Sequence, residues 1–145
     1  MDFFEMNERV QSIDIDKIIE EAFFNNEAEL IDILQENQLK RGLDGAGDKI
    51  GQYKDYGYAD MKANMNPLPG YMNVDLKLTG DFYSGMALER SGSDFQVRSS
   101  DEKASRLEKK YGVWMYSLTN ENAGEFAQDF LLADIQDGIR EVLDV

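Results

Sequence analysis

Apolar residues recur at helical spacing near both ends of the chain. Between residues 15 and 23 they are separated by three and four positions, which predicts a helix with Asp14 as its amino-terminal cap. Residues 120–143 repeat this pattern after a second cap residue, Thr119. Gly124 and Gly138 are expected to weaken that last helix by about 1 kcal/mol each. The sequence therefore predicts a long helix near each end.

Two further segments have a helical period. The apolar run at 30–34 fits either a helix or a short strand, of which we favour the helix, with Gly42 as its stop. Residues 101–111 place apolar and basic side chains on different faces, and Gly112 follows them. Both segments are predicted to be helices that end at a glycine.

Apolar and polar residues alternate strictly in the middle of the chain. The alternation over 71–78 predicts a half-buried antiparallel strand. Residues 82–90 and 95–98 are expected to continue in extended form on either side of a turn at 91–93, which gives an antiparallel meander. The predicted fold class is α+β, with a small antiparallel sheet, long amino-terminal and carboxy-terminal helices packed on it, and a long central loop.

The central loop is predicted over residues 41–70, which are rich in Gly and Tyr. Structureless loops of about 30 residues are uncommon in compact domains and usually have a function. We expect this loop to become ordered on a partner. The length of the chain, 145 residues, predicts a single domain over 1–145, with residues 1–13 as a candidate flexible segment.

The composition excludes several kinds of chemistry. The formal net charge is -14, and the chain contains no His and no Cys. A disulfide framework, a Cys/His zinc site, a Cys nucleophile and a Ser-His pair are therefore excluded. A carboxylate-only hydrolase and an oxygen-ligand metal site are the alternatives that remain. No run of 18 apolar residues is present, so no membrane association is expected.

The negative charge is concentrated at the two ends of the chain. Residues 1–36 carry a net charge of -9, residues 37–118 carry +1, and residues 119–145 carry -6. The acids are expected to form the polar faces of the terminal helices, where they confer solubility and attract basic surfaces.

Residues 44–48, Asp-Gly-Ala-Gly-Asp, superficially suggest a calcium loop, because carboxylates stand at the first and fifth positions. An EF-hand beginning at Asp44 requires Gly at its sixth position and Glu at its twelfth, where this chain has Lys49 and Asp55. We interpret the segment as a tight acidic turn. The sequence predicts no catalytic residue, no cofactor and no metal site.

Aromatic and basic residues supply the candidate interface positions. Aromatic side chains are enriched at interface cores, and a basic helix with neighbouring aromatics is typical of nucleic-acid contacts. Because a charge of -14 repels the phosphate backbone, we expect no sequence-specific nucleic-acid binding. Trp114, in a segment predicted as a short strand or an apolar loop, is expected in the core. The candidate interface residues are Phe3, Phe4, Tyr53, Tyr56, Tyr58, Lys103, Arg106, Lys109 and Lys110.

Several short motifs follow one another between residues 38 and 113. They are Asp44-Gly45, Ile50-Gly51-Gln52-Tyr53, Tyr58-Ala59 with Lys62, Leu78-Thr79-Gly80-Asp81-Phe82 with Met86, Lys103-Ala104 with Leu107, and Tyr111-Gly112. In this order they resemble the tail-completion or neck proteins of tailed bacteriophages, a group often called virion morphogenesis proteins.

The resemblance implies a structural protein with an α+β fold that performs no chemistry. It implies assembly of copies into a ring at the head-tail junction or the top of the tail. The expected neighbours are portal, adaptor or tail proteins, and the expected location is the virion, with the host cytoplasm during assembly.

Two other function classes compete with this prediction. An acidic protein that mimics DNA and inhibits a nucleic-acid enzyme would use the same negative charge for recognition. A carboxylate-only hydrolase would require two carboxylates that line one pocket at about 5 to 9.5 Å from each other.

Overall fold

Helices surround a single β-hairpin in the computed structural model, which describes residues 1–145. The predicted α+β class with a small antiparallel sheet is confirmed. The helices are α1 (Phe3–Gln11), α2 (Ile15–Asn25), α3 (Glu27–Asn37), α4 (Tyr56–Met65), α5 (Asp81–Ser84), α6 (Ala104–Tyr111) and α7 (120–143). Helix α7 is continuous and consists of Asn120–Phe126, a π turn at Ala127–Leu131, and Leu132–Leu143. Short 3₁₀ helices occupy Leu39–Arg41 and Val113–Tyr116.

Side-chain caps fix where the terminal helices begin. In α1, Asp2 accepts a hydrogen bond from the backbone of Glu5, and the Glu5 side chain accepts one from the backbone of Asp2. Asp14 caps α2, and Thr119 caps α7 by accepting from the backbone of Asn122. The caps predicted at Asp14 and Thr119 are confirmed, and α1 is an additional helix within residues 1–13.

The hairpin pairs β1 (Met86–Ser91) with β2 (Asp94–Ser99) around a turn at 92–93. Leu88 lies opposite Val97, and both are buried in the main apolar cluster. The ring of Phe23 in α2 stacks on Phe95 in β2, with ring centres 4.3 Å apart. These contacts join the hairpin to the helices that flank it.

The helices pack in two groups. Helices α1 and α2 lie against the second half of α7, whereas α3 lies against β1 and the first half of α7. The α2 contact is close, because a Cβ atom at Gly138 would lie 2.8 Å from Cγ2 of Ile18. Gly138 therefore permits the packing of two helices, a role that its helix propensity alone does not indicate.

The predicted strand at 71–78 is wrong. Met72 and Leu76 have φ angles of 71° and 61°, values that an extended strand does not adopt. Val74, Asp75 and Leu76 are all buried, so the alternation in the sequence does not correspond to alternating faces. The β-pairing of this segment is limited to one isolated bridge, between Gln52 and Asn73.

The predicted meander and central loop are corrected as well. The chain forms helix α5 before β1, so the sheet has two strands and no third. Within 41–70, helix α4 begins after Asp55, whose side chain accepts a hydrogen bond from the backbone of Tyr58. The helix predicted at 30–34 is confirmed, although it ends at Asn37 and Gly42 instead ends the 3₁₀ helix that follows. The helix predicted at 101–111 is confirmed from Ala104 onward and ends at Gly112. No helix is both long and apolar enough to cross a membrane.

Candidate functional site

A cleft of about 410 Å³ lies between α4, α6 and the irregular segment 74–80. Its floor is apolar and includes Val74, Leu76 and Phe82, all of which are buried in the main core. Leu107 of α6 and the half-exposed Leu78 extend this apolar surface toward solvent. We call this cavity the basic cleft because of the side chains at its rim.

Five cationic side chains surround the opening of the basic cleft, and they are Lys54, Lys77, Lys103, Arg106 and Lys110. The last three occupy one face of the segment leading into and along α6, because positions three and four apart share a helix face. Lys103 pairs weakly with Asp101, at 3.7 Å.

The other four rim cations have no carboxylate within 4.0 Å. Asp55 is the single acidic residue at the rim, and its carboxylate already accepts a hydrogen bond at the start of α4. The cleft is therefore positively charged, although the net charge of the whole protein is -14.

Three tyrosines form one wall of the basic cleft. Tyr53 and Tyr58 contact each other edge to face, with ring centres 5.0 Å apart. Tyr111 lies against the backbone of Gly51, where a Cβ atom would be 2.8 Å from its ring. Burial, and secondarily the negative charge of Asp75, raises the pKa of Tyr53 and of Tyr58. Both hydroxyls therefore stay protonated at neutral pH.

A buried ion pair lies beneath the cleft. Nζ of Lys62 in α4 is 2.7 Å from Oδ1 of Asp75, and both side chains are at most 5% exposed. The Lys62 ammonium also donates to the backbone carbonyl of Lys77. This pair links helix α4 to the segment 74–80 and so fixes two sides of the cleft.

Further hydrogen bonds satisfy the buried carboxylate of Asp75. Asn66 donates from Nδ2 to Oδ2 of Asp75 at 3.0 Å, and the backbone N–H of Lys77 donates to Oδ1 at 3.0 Å. The Tyr83 hydroxyl donates to the backbone carbonyl of Asp75 at 2.6 Å. A carboxylate with this many partners is a structural element of the segment 74–80.

The structure brings five of the nine candidate interface residues together. Tyr53, Tyr58, Lys103, Arg106 and Lys110 line the basic cleft. The other four, Tyr56, Lys109, Phe3 and Phe4, lie outside it.

Two aromatic residues outside the cleft are largely exposed, and a third belongs to the cleft wall. Tyr56 is 70% exposed at the start of α4. Trp114 is 64% exposed, so its predicted place in the core is wrong; the neighbouring residues Met115 and Tyr116 are buried instead. Tyr111, which completes the aromatic wall, follows Lys110 directly in α6.

Sequence analysis missed Lys54, Lys77 and Asp75 as parts of this site. Lys54 directly follows the candidate interface residue Tyr53, and this adjacency in the sequence could have indicated that Lys54 belongs to the site. Lys77 and Asp75 lie in the segment 71–78, where the alternating pattern predicts a strand that does not form. No local pattern indicates that Asp75 is buried against Lys62.

The opposite end of the molecule is acidic and exposes aromatic side chains. Helix α1 has no buried residue, and Phe3 and Phe4 are 95% and 71% exposed. Arg9 holds α1 in place through a hydrogen bond to the carbonyl of Leu143 and an ion pair with Asp144. We call the first turn of this helix, residues 2–5, the aromatic tip.

The acidic turn predicted at 44–48 is confirmed. Oδ1 of Asp44 accepts hydrogen bonds from the backbone N–H groups of Ala46 and Asp48, at 2.9 and 3.1 Å. The N–H of Gly45 donates to the carbonyl of Trp114, which ties the turn to the 3₁₀ helix at Val113–Tyr116.

Comparisons with protein-family models, curated proteins and solved structures found no match to this chain.

Proposed function

We propose that this protein is a structural subunit of a tailed-phage virion, which forms a ring at the head-tail junction or the top of the tail and performs no catalysis. In this role it contacts copies of itself and neighbouring portal, adaptor or tail proteins, first in the host cytoplasm during assembly and then in the virion. The ordered motifs between residues 38 and 113 support the assignment to this class.

The observation that carries the proposal is the exposure of Phe3 and Phe4 on a helix held in a defined position. Exposed aromatic residues on a flexible terminus do not indicate a binding surface. Helix α1, in contrast, is capped at its start and is hydrogen-bonded to α7 near its end. Contiguous exposed aromatic surface is typical of protein contact sites. Such a helix is suited to a partner that covers it.

A second exposed aromatic residue lies at the other end of the long helix. Trp114 precedes the cap of α7, whereas Arg9 ties helix α1, which carries the aromatic tip, to the carboxy-terminal end of α7. A helix over 120–143 is about 36 Å long at about 1.5 Å per residue. Two contact surfaces at opposite ends of a subunit suit a head-to-tail ring, in which each copy uses two different surfaces.

The distribution of charge agrees with this arrangement. The acidic segments 1–36 and 119–145 meet where α1 and α2 pack on the second half of α7. The basic cleft is built from the intervening segment, whose net charge is +1. The subunit therefore has one strongly negative end and one positive cleft, and such complementarity favours ordered association.

The mass of the protein in solution tests this proposal. Native mass spectrometry and light scattering are applied to the protein alone and after mixing with portal particles or tail tubes. A ring of defined mass, or incorporation into those particles, is the expected result. A chain that stays monomeric with both preparations, over a wide range of concentration and salt, would contradict the proposal.

The joined acidic helices also favour a second candidate function, an acidic inhibitor that mimics DNA and binds a nucleic-acid enzyme. Helices α1 and α2 pack on the second half of α7, which brings parts of the acidic segments 1–36 and 119–145 together. Inhibition of a nuclease or polymerase by the monomer, lost at high salt, would favour this candidate. The ring proposal predicts no such inhibition.

A further inference from the structure

We propose that the basic cleft of one copy receives the aromatic tip of a second copy. Phe3 and Phe4 enter the apolar and tyrosine-lined interior, while Asp2 and Glu5 face the cationic rim. This inference rests on the proposed ring function and names the contact between neighbouring subunits.

The cleft has the chemistry of a site for an aromatic and anionic partner. Its interior combines the apolar floor with the wall of Tyr53, Tyr58 and Tyr111, and aromatic rings pack favourably against such walls. Its rim carries four cations without carboxylate partners inside a protein of net charge -14. Cations left unpaired in so acidic a molecule are available for an external anion.

The aromatic tip has the complementary chemistry. Two adjacent phenylalanines, 95% and 71% exposed, are flanked by Asp2 and Glu5. The capping interactions of these two acids stiffen the first turn, so little conformational freedom is lost when it docks. Each carboxylate keeps oxygen lone pairs for a lysine or arginine of the rim.

The tip does not occupy the cleft of its own chain, since Phe3 and Phe4 are 95% and 71% exposed. Helix α1 is tied to the carboxy-terminal end of α7 through Arg9, whereas α6 leads through residues 113–116 to the amino-terminal end of α7. The two ends of α7 are separated by about 36 Å. Docking is therefore intermolecular and uses two different surfaces, the geometry that closes into a ring or extends into a filament.

Nucleic acid is the less favoured occupant. A phosphate backbone can satisfy the cationic rim, but it brings no apolar group to the interior of the cleft. The aromatic tip brings two carboxylates with two apolar rings, so it satisfies the rim and the interior together. A DNA oligonucleotide serves as the competing probe in the test.

Full-length charge variants test the contact. Arg106→Glu with Lys110→Glu changes the rim, and Lys109→Glu is the matched control, because Lys109 lies on the same helix outside the cleft. Phe3→Ser with Phe4→Ser changes the tip, and Val10→Ser, an exposed position in the same helix, is its control. The amount of ring formed by each of the two altered proteins is expected to fall at least tenfold, whereas the two controls assemble normally.

Mixing the two altered proteins sharpens the test. The rim variant keeps an intact tip, and the tip variant keeps an intact cleft, so an equimolar mixture should form heterodimers and stop there. Normal assembly of the rim variant would overturn the inference while leaving the ring function in place. Protection of the cleft by a DNA oligonucleotide, with no effect of the tip changes, would overturn it in favour of nucleic acid.

Cross-linking detects the contact even if rings do not form. The chain contains no cysteine, so Asn7→Cys on one copy and Lys54→Cys on another allow a single kind of link between the two variants through a short bismaleimide, and its product is distinguished by mass from links between identical copies. We expect a strong Asn7–Lys54 product and little product when Glu125→Cys replaces the rim partner. Equal yields would overturn the inference, whereas a specific product without any ring would count against the proposed function alone.

Discussion

The cleft end and the acidic helical end of this protein are stabilised in different ways. At the helical end, regular helices with side-chain caps pack through apolar contacts, including the close approach of Gly138 to Ile18. At the cleft end, an irregular segment is held by the buried pair of Lys62 and Asp75 and by the hydrogen bonds around it. The helical end relies on periodic local structure, whereas the cleft end adds a buried polar network to the apolar core.

This difference indicates which end tolerates change. Polar residues that line a helix surface are replaceable, because solvent satisfies them before and after substitution. A buried ion pair is not, because removing one partner leaves the other charge without compensation in an apolar environment. The cleft end should therefore respond most strongly to single substitutions.

The largest effect is expected at the buried pair. Lys62→Met leaves the Asp75 carboxylate buried without its cation and should lower the free energy of unfolding by about 3–5 kcal/mol. Urea unfolding measures the change. Lys54→Met, an exposed rim position without an ion pair, is the control and should change stability by about 0.5 kcal/mol or less. A small effect at Lys62 would remove the contrast between the two ends.

Two glycines of α7 provide a matched pair at the helical end. Gly138→Ala introduces a Cβ atom 2.8 Å from Ile18 and should destabilise the protein by about 1–3 kcal/mol. Gly124→Ala meets nothing within 4 Å and should stabilise it by about 0.5–1 kcal/mol. Thermal and urea unfolding of both variants checks the sign. Stabilisation by both would show that α2 and α7 pack less tightly than described.

Alkaline pH should weaken the cleft end. Burial raises the pKa of Tyr83 above its value of about 10 in the unfolded chain, and Asp75 adds to the effect. The resulting stabilisation is complete below pH 10 and is lost as the pH rises from there toward the pKa of the folded state, because only the unfolded chain releases the proton. The loss attributable to Tyr83 is at most about 1.4 kcal/mol per pH unit.

Urea unfolding between pH 8 and pH 11 measures this loss. The Tyr83→Phe variant should be less stable at pH 8, because it lacks the hydroxyl that donates to the carbonyl of Asp75. Its free energy of unfolding should also fall less steeply above pH 10. Parallel declines for the variant and the unsubstituted protein would assign the alkaline loss to other groups.

The smallest effect is expected at the aromatic tip. Phe3→Ser and Phe4→Ser should each change the stability of the monomer by about 0.5 kcal/mol or less, since both side chains are exposed. Circular dichroism melts of dilute protein measure this. A large loss would mean that the tip packs within its own chain, and it would weaken the case for a partner.

The candidate site was only partly predictable from sequence. The basic face of α6 and the tyrosines were identified as separate candidates, because each belongs to a local pattern. That Lys103, Arg106 and Lys110 face Tyr53 and Tyr58 across one cleft depends on how α4 and α6 pack. The prediction for Trp114 failed because its size and hydrophobicity favour burial, whereas the turn at Val113–Tyr116 directs its neighbours inward instead.

The sequence by itself determined the helices at 15–25 and 120–143, their caps at Asp14 and Thr119, and the concentration of acids at both ends. These features depend on residues three or four positions apart, which interact within one helix whatever the rest of the chain does. The tertiary structure decided the conformation of 71–78 and the positive cleft. Lys62 and Asp75 are brought together by a fold that no local period encodes, and their pairing overrides the alternation that predicts a strand.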